Sequence, residues 1–172
     1  MIEYLETERL ILRKAEDKDL DSIWQRVWKN ETLSEMMLWT PTLTYDEAKE
    51  RLERTKAYQA QYHAFFVCLK ENDEPIGFAG VREPQPGEFE ESGVCIAKEY
   101  QKQGYGKEVL HALIGLVFDR LNGSRFLCSC FHENTASAAL IRSCGFHYLK
   151  SEYQLRERDG YRFLCDTYEL KR

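Results

Sequence analysis

Glu91-Ser92-Gly93-Val94-Cys95-Ile96-Ala97-Lys98-Glu99-Tyr100-Gln101-Lys102-Gln103-Gly104-Tyr105-Gly106 is the stretch on which the reading of this chain turns. An apolar strand runs into a polar turn carrying two glycines one residue apart, and the turn opens directly into a helical pattern. The first amides of a helix have no intrahelical acceptor, and the macrodipole adds partial positive charge there, so backbone alone can hold a phosphate. Read this way, Gln101 to Gly106 wraps the diphosphate of a nucleotide cofactor, with Gln101, Lys102 and Lys107 adding side-chain donors. The alternative is an ordinary strand-to-helix loop, because a lone G-x-G matches by chance. Neither G-x-x-x-x-G-K-[ST] nor a G-x-G-x-x-G after the first strand is present, which removes the P-loop and the dinucleotide fingerprint.

Working outward from this stretch, Val109, Leu110, Leu113, Leu116, Val117 and Leu121 trace one helical stripe between Gly106 and Asn122, closed by Asn122-Gly123. Arg125 to Phe131 is a strand, a short helix starts at Asn134 or Thr135 and ends at Cys144-Gly145-Phe146, and Tyr148 to Arg156 with Tyr161 to Leu170 form a hairpin. Upstream, Arg9 to Lys14 reads as a first strand, Lys18 to Asn30 as a helix, and Leu33 to Thr44 as an irregular apolar segment broken by Pro41. Thr44 with Glu47 has capping-box spacing and starts a second helix that reaches Gln61. Ala64 to Leu69 and Pro75 to Val81 make a hairpin, and a loop through Pro84, Pro86 and Gly87 leads into the strand Phe89 to Ala97. The expected fold is one α/β domain over residues 1–172, with a mixed sheet and helices on both faces.

The totals narrow the function classes. A chain of 172 residues can bury a real core, and 43% apolar with 13% aromatic content is globular. A net charge of −5 argues against nucleic acid as a partner, and no stretch approaches a membrane span. Met1 to Leu10 carries Glu3, Glu6 and Glu8 and no apolar signal core, so the cytoplasm is the expected location. Cys68, Cys95, Cys128, Cys130, Cys144 and Cys165 contain no C-x-x-C and read as buried reduced thiols rather than a metal site.

Two blocks in fixed order carry a resemblance. Gln101-Lys102-Gln103-Gly104-Tyr105-Gly106 after an apolar strand matches the Q/R-x-x-G-x-G/A signature of the GCN5-related N-acetyltransferases, and Asn134 through Ser137 to Gly145-Phe146 resembles that family's N-x-x-S/A helix ending in G-F. The opening Leu5-Glu6-Thr7-Glu8-Arg9-Leu10-Ile11-Leu12-Arg13 resembles the branch of the ribosomal-protein N-terminal acetyltransferases RimJ and RimL. The resemblance implies acetyl-CoA as co-substrate, without metal, lying where the strands Phe89 to Ala97 and Arg125 to Phe131 splay apart. It implies that backbone groups of Val94, Cys95 and Ile96 pair with the pantetheine arm, that Gln101, Lys102, Gln103, Gly104, Tyr105, Gly106 and Lys107 hold the diphosphate, and that Asn134 and Ser137 contact the cofactor from the other lip. The branch often dimerises, so a homodimer is an expected state.

Acetyl transfer to an amine needs an unprotonated nitrogen, and a lysine amine titrates near about 10.4 against about 8 for an α-amino group. A base is therefore useful. Glu91 is the expected base, placed by alternation on the face of Gly93 and Cys95; Glu90 is the alternative, because a one-residue bulge would exchange their faces. In many relatives a tyrosine on the helix after the asparagine protonates the thiolate, but this chain has Ile141 there, and Ser129 replaces an acidic residue that some relatives carry. Water or Ser137 must then serve as acid. His132, where the second cleft strand ends, reads either as a proton relay or as a solvated loop residue. The acceptor is expected to enter past Met36, Trp39 and Tyr45 and beside Glu83 to Phe89, with Glu90 and its neighbouring glutamates favouring a cation. A second reading is a degenerate module that binds acetyl-CoA or CoA without turnover, and an acyl-enzyme through Cys95 or Cys130 has no base beside it in the sequence.

Overall fold

The computed structural model describes residues 2–172; Met1, inside the expected domain 1–172, lies outside the described residues. The strands β1 (Tyr4–Glu6), β2 (Leu10–Arg13), β3 (His63–Leu69), β4 (Pro75–Gln85), β5 (Glu88–Ile96), β6 (Arg125–Phe131), β7 (His147–Arg156) and β8 (Tyr161–Lys171) form one open mixed sheet in the order β1-β2-β3-β4-β5-β6-β8-β7. The pairs are antiparallel except β5 with β6, which run parallel. The helices are α1 (Leu20–Ile23), α2 (Glu31–Ser34), α3 (Tyr45–Gln59), α4 (Tyr105–Gly115) and α5 (Thr135–Ser143).

Both faces of the sheet are covered, as the strand patterns require: β3 is buried from Ala64 to Leu69 with no polar alternation, the mark of a strand packed on two sides. On one face α1, the π-type turn that follows it and α3 bury Ile23, Val27, Trp28 and Leu52 against Phe66 and Cys95. On the other, α4 and α5 bury Val109, Leu113 and Ile141 against Phe65, Val67 and Phe126. Val109, Leu113 and Val117 are wholly buried, and each contributes roughly 1.5–3 kcal/mol.

α3 begins where its capping box predicts: Thr44 Oγ1 accepts from the Glu47 amide at 3.3 Å while Glu47 Oε2 accepts from the Thr44 amide at 3.1 Å. Other boundaries moved. The helix expected from Lys18 starts at Leu20, after a tight turn at Asp17–Asp19, and ends in a wider π-type turn at Trp24–Trp28. The irregular segment contains α2, capped by Asn30, whose Oδ1 accepts from the Leu33 amide at 2.9 Å. β1 is three residues long, too short for a periodic pattern. β4 overruns Val81 to reach Gln85, and Pro84 is tolerated because the ladder slips between Arg82 and Gln85.

Candidate active site

β5 and β6 are neighbours only at their starts, where Glu88, Phe89 and Glu90 pair with Arg125, Phe126 and Leu127. Beyond Glu90 the strands part. The β5 edge from Ser92 to Ile96 then has no strand partner on the β6 side among the described residues, although β4 still pairs with its other edge. A cavity of about 1100 Å³ occupies the gap. Asn134, Ser137, Leu140 and Ile141 of the α5 region line it on one side of the sheet, and Met36, Trp39 and Arg51 line it on the other.

A bulge shapes β5 at the point of parting. Gly93 pairs with Gly80 but Glu91 pairs with Val81, so Ser92 is the extra residue. Two glycines make this possible. Gly93 has φ +130, which side chains rarely adopt, and a Cβ there would stand 3.1 Å from the Phe78 ring. A Cβ on Gly80 would stand 2.6 Å from Ser92 Oγ and 3.0 Å from Ala64 Cα.

The bulge corrects the expected strand faces. Glu91 does not share a face with Gly93 and Cys95. It points with Val81 toward the α4 and α5 face, while Cys95 packs with Phe66 and Cys68 on the α1 and α3 face. Glu90, paired with Arg82, belongs to that second face, and its carboxylate lies 2.6 Å from Arg82 Nε. Both glutamates line the cavity, from opposite sides. The glycine inside an otherwise apolar strand was the available signal for the bulge.

Glu91 keeps a partly exposed flank, but its carboxyl is enclosed by protein atoms. Burial pushes its pKa up to about 7, and the amides of Gly93 and Val94 pull it only partway back. Burial also raises the thiols of Cys95 and Cys130 to about 12, so neither is a thiolate at neutral pH. All six cysteines are free, and among the described residues no cluster of three metal-ligating side chains forms.

The loop from Gln101 to Lys107 lies outside the cavity wall, at the head of α4. Gly104 caps the helix with φ +86 and offers no side chain to the first amides, while Lys102 is also left-handed at φ 60. Lys102 and Lys107 are exposed. The Gln101 side chain, expected from sequence as a donor to the diphosphate, gives one N–H to the Ile96 carbonyl at 2.9 Å, which ties the loop to the end of β5 and leaves its second N–H without an acceptor among the described residues. Gln103 Nε2 likewise donates to the Glu99 carbonyl at 2.9 Å. A Cβ on Gly106 would meet Leu140 Cδ2 at 3.2 Å, so this glycine lets α4 approach α5. Tyr105 carries the Arg9 guanidinium over its ring at 4.2 Å. These features suit an anion: a bare helix start, two lysines in solvent, and an unpaired strand edge leading inward.

At the α5 lip, Asn134 caps the helix by accepting from the Ser137 amide at 3.1 Å, which holds Ser137 at the cavity wall. Ile141 is buried where a tyrosine would have stood. His132 is not part of the cavity wall; its Nδ1 lies 2.9 Å from Asp166 Oδ2, and Ser151 Oγ donates to the same carboxylate at 2.5 Å.

On the α1 and α3 side, Trp39, Met36 and Glu90 line the cavity, whereas Tyr45 stacks edge-on against Trp24, 5.3 Å away and off the wall. The expected acidic surface is spoken for. Glu90 pairs with Arg82, Glu88 with Arg125 at 3.5 Å, and Glu83 accepts from the Gly87 amide at 2.8 Å. The charge that sequence reading missed is Arg51 of α3, clamped between the rings of Trp28 at 4.7 Å and Trp39 at 5.0 Å. No periodicity marks it, because its position depends on how α3 meets the Met36–Thr42 segment.

Residues 9–147 match the family described as an acetyltransferase (GNAT) domain. The chain is 30% identical over 148 residues to an uncharacterized N-acetyltransferase, p20, of Bacillus licheniformis, covering 84% of this chain and 83% of that one. An acetyltransferase of the GNAT family from Bacillus anthracis superimposes with a TM-score of 0.84 at 17% identity, over 98% of both chains. A candidate ribosomal-protein-serine acetyltransferase from Vibrio cholerae superimposes with a TM-score of 0.81 at 26% identity, over 98% of this chain and 97% of that one. The parted strands, the bulge and the loop at the head of α4 are therefore those of a protein that belongs to the GNAT acetyltransferases.

Proposed function

We propose that this protein moves the acetyl group of acetyl-CoA directly to a primary amine, with Glu91 as general base. The observation that carries the reading is the place of Glu91, on the cavity wall at the bulge where β5 and β6 part, where burial raises its carboxyl to about 7. A base poised near neutrality suits an α-amino group titrating near about 8. Holding amine and thioester together in one cleft supplies much of the remaining rate.

The residues fit the co-substrate. The free edge at Val94, Cys95 and Ile96 suits the pantetheine arm as an added strand, and an amide of that edge is placed to donate to a carbonyl oxygen gathering charge. The backbone from Gln101 to Lys107 suits the diphosphate, with Gln103, Gly104, Tyr105 and Gly106 contributing main chain and Lys102 and Lys107 contributing charge. Asn134 and Ser137 face the arm from α5, and the Ser137 hydroxyl is the donor for the departing thiolate. Met36, Trp39 and Glu90 border the acceptor's entry. A protein N-terminus is one acceptor of this kind, and the Vibrio cholerae relative, described as a ribosomal-protein-serine acetyltransferase, supports a protein as the acceptor.

A second reading, a CoA-binding module without turnover, is supported by Ile141 in place of a tyrosine acid. Thiol release from acetyl-CoA decides between them when measured against peptides with free N-termini, polyamines, aminoglycosides and amino acids. Release with one class establishes the transferase. Silence throughout, with a melting temperature raised by acetyl-CoA, establishes the binding module.

A further inference from the structure

Six charged side chains line the cavity: Glu47, Arg51, Arg54, Arg82, Glu90 and Glu91. Three of them are spent within the protein. Arg82 and Glu90 pair with each other at 2.6 Å, and Glu47 accepts from the amides of Leu43 and Thr44 at 3.2 and 3.1 Å. Arg54 has only an exposed pairing with Glu50 at 3.8 Å. Arg51 pairs with no carboxylate among the described residues.

What holds Arg51 is neutral. Nη1 donates to the Thr40 carbonyl at 3.1 Å and to Thr42 Oγ1 at 2.8 Å, and the flat faces rest on two tryptophans. Its Nε and Nη2 groups have no acceptor among the described residues. Burial lowers its pKa to about 10, with Arg54 adding to the effect, so this is a cation at neutral pH whose partners are two neutral oxygens and two aromatic faces, with no carboxylate among the described residues. Trp39 Nε1, buried beside it, also lacks an acceptor among the described residues. This corner of the cavity holds more donors than acceptors. A planar guanidinium with its edge free is shaped for a carboxylate.

We infer that the acceptor is an amine that also carries a carboxylate, bound through Arg51 while its amino group is delivered to the Glu91 side of the cavity. This rests on the transferase reading and names its substrate class. Two sources share that chemistry: a free amino acid, or a peptide N-terminus followed by an acidic side chain.

The test compares matched pairs on the wild-type protein with acetyl-CoA present: amino acids against their carboxamides, and short amidated peptides with Asp or Glu at the second position against Asn or Gln. The carboxylate member of at least one pair is expected to have a kcat/KM roughly ten- to hundredfold higher, as a charge-assisted contact supplies. Arg51→Met should raise KM for that member and leave the KM of its amide within about twofold, and Arg51→Lys should recover part of the difference. The amino-acid and peptide arms tell the two sources apart. Turnover of amides as fast as acids in every pair overturns the inference and leaves the transferase intact. An equal rise in KM for both members in Arg51→Met also overturns it, since that is the mark of a residue that only braces Thr40 and Thr42. Should Arg51→Met fail to fold, the wild-type pairs and Arg51→Lys still decide. No release from any amine overturns the transferase reading and this inference with it.

Discussion

Arg9 and Glu108, ninety-nine residues apart in the chain, meet through two contacts of 2.8 Å, one from the Arg9 amide to Oε1 and one from the guanidinium Nε to Oε2. Thr7 Oγ1 adds a third hydrogen bond to Oε1 at 2.6 Å, and Arg9 Nη1 reaches on to the Gln103 carbonyl at 3.0 Å. The Thr7-Glu8-Arg9 opening thus braces the first turn of α4 and the loop before it. Arg9→Ala is expected to weaken acetyl-CoA binding about fivefold, by loss of roughly one hydrogen bond's worth of order in the loop. Isothermal titration at low salt measures it; unchanged affinity would show that the loop keeps its shape unaided.

Glu108 also gives that brace a pH dependence. Burial alone would raise its carboxyl, but the hydrogen bonds from Thr7 and Arg9 outweigh it and hold the pKa below the usual 4.5. A carboxylate depressed by folding stabilises above its unfolded pKa and loses that contribution as pH falls through the folded value. The parent should therefore lose stability below about pH 4.5 more steeply than Glu108→Gln, which thermal melts from pH 6 to pH 3 would reveal.

Glu91→Gln is expected to lower turnover by about 10²- to 10⁴-fold with little change in acetyl-CoA affinity. The parent's kcat/KM should show an inflection near 7 from Glu91, because only the ionised carboxyl accepts a proton, beside the separate titration of the acceptor amine itself. That inflection should vanish in the variant. A carboxyl raised by folding favours the native state while neutral and loses this contribution as pH climbs from 4.5 through about 7. Glu91→Gln should accordingly melt higher than the parent at pH 8 and close to it at pH 4.

Gly93→Ala tests the bulge itself. A Cβ at φ +130, 3.1 Å from the Phe78 ring, costs about 1–2 kcal/mol in backbone strain before any clash is relieved. The expected result is a lower melting temperature together with a turnover loss larger than the stability loss explains, since Glu91 and the Val94 amide both move. Normal turnover in a destabilised variant would separate the bulge from the chemistry.

Cys95→Ala should keep turnover within a few-fold, because a thiol raised to about 12 and turned toward α1 and α3 makes no nucleophile at neutral pH. An acetylated Cys95 trapped by mass spectrometry would overturn the direct route.

Much of this architecture was legible in residue order. The alternation of apolar runs with helical stripes, the Thr44–Glu47 capping box and the pair of glycines at the start of α4 are local features, and local features are written in spacing. So was the family, through the Gln101–Gly106 and Asn134–Phe146 blocks. The faces of Glu90 and Glu91 were left between two alternatives, and the bulge exchange that sequence offered as the second is the one found, because only the β4 ladder counts the extra residue at Ser92. Not legible was the hydrogen bond from the Gln101 side chain to the Ile96 carbonyl, which ties the loop back to β5. Arg51 is the clearest case: along α3 it is one more basic residue in a charged helix, and it becomes a half-buried cation only when Trp28 and Trp39 close over it. Periodicity records which face of an element is apolar. Desolvation of a charge depends on what other elements bring to it, and that is settled in three dimensions.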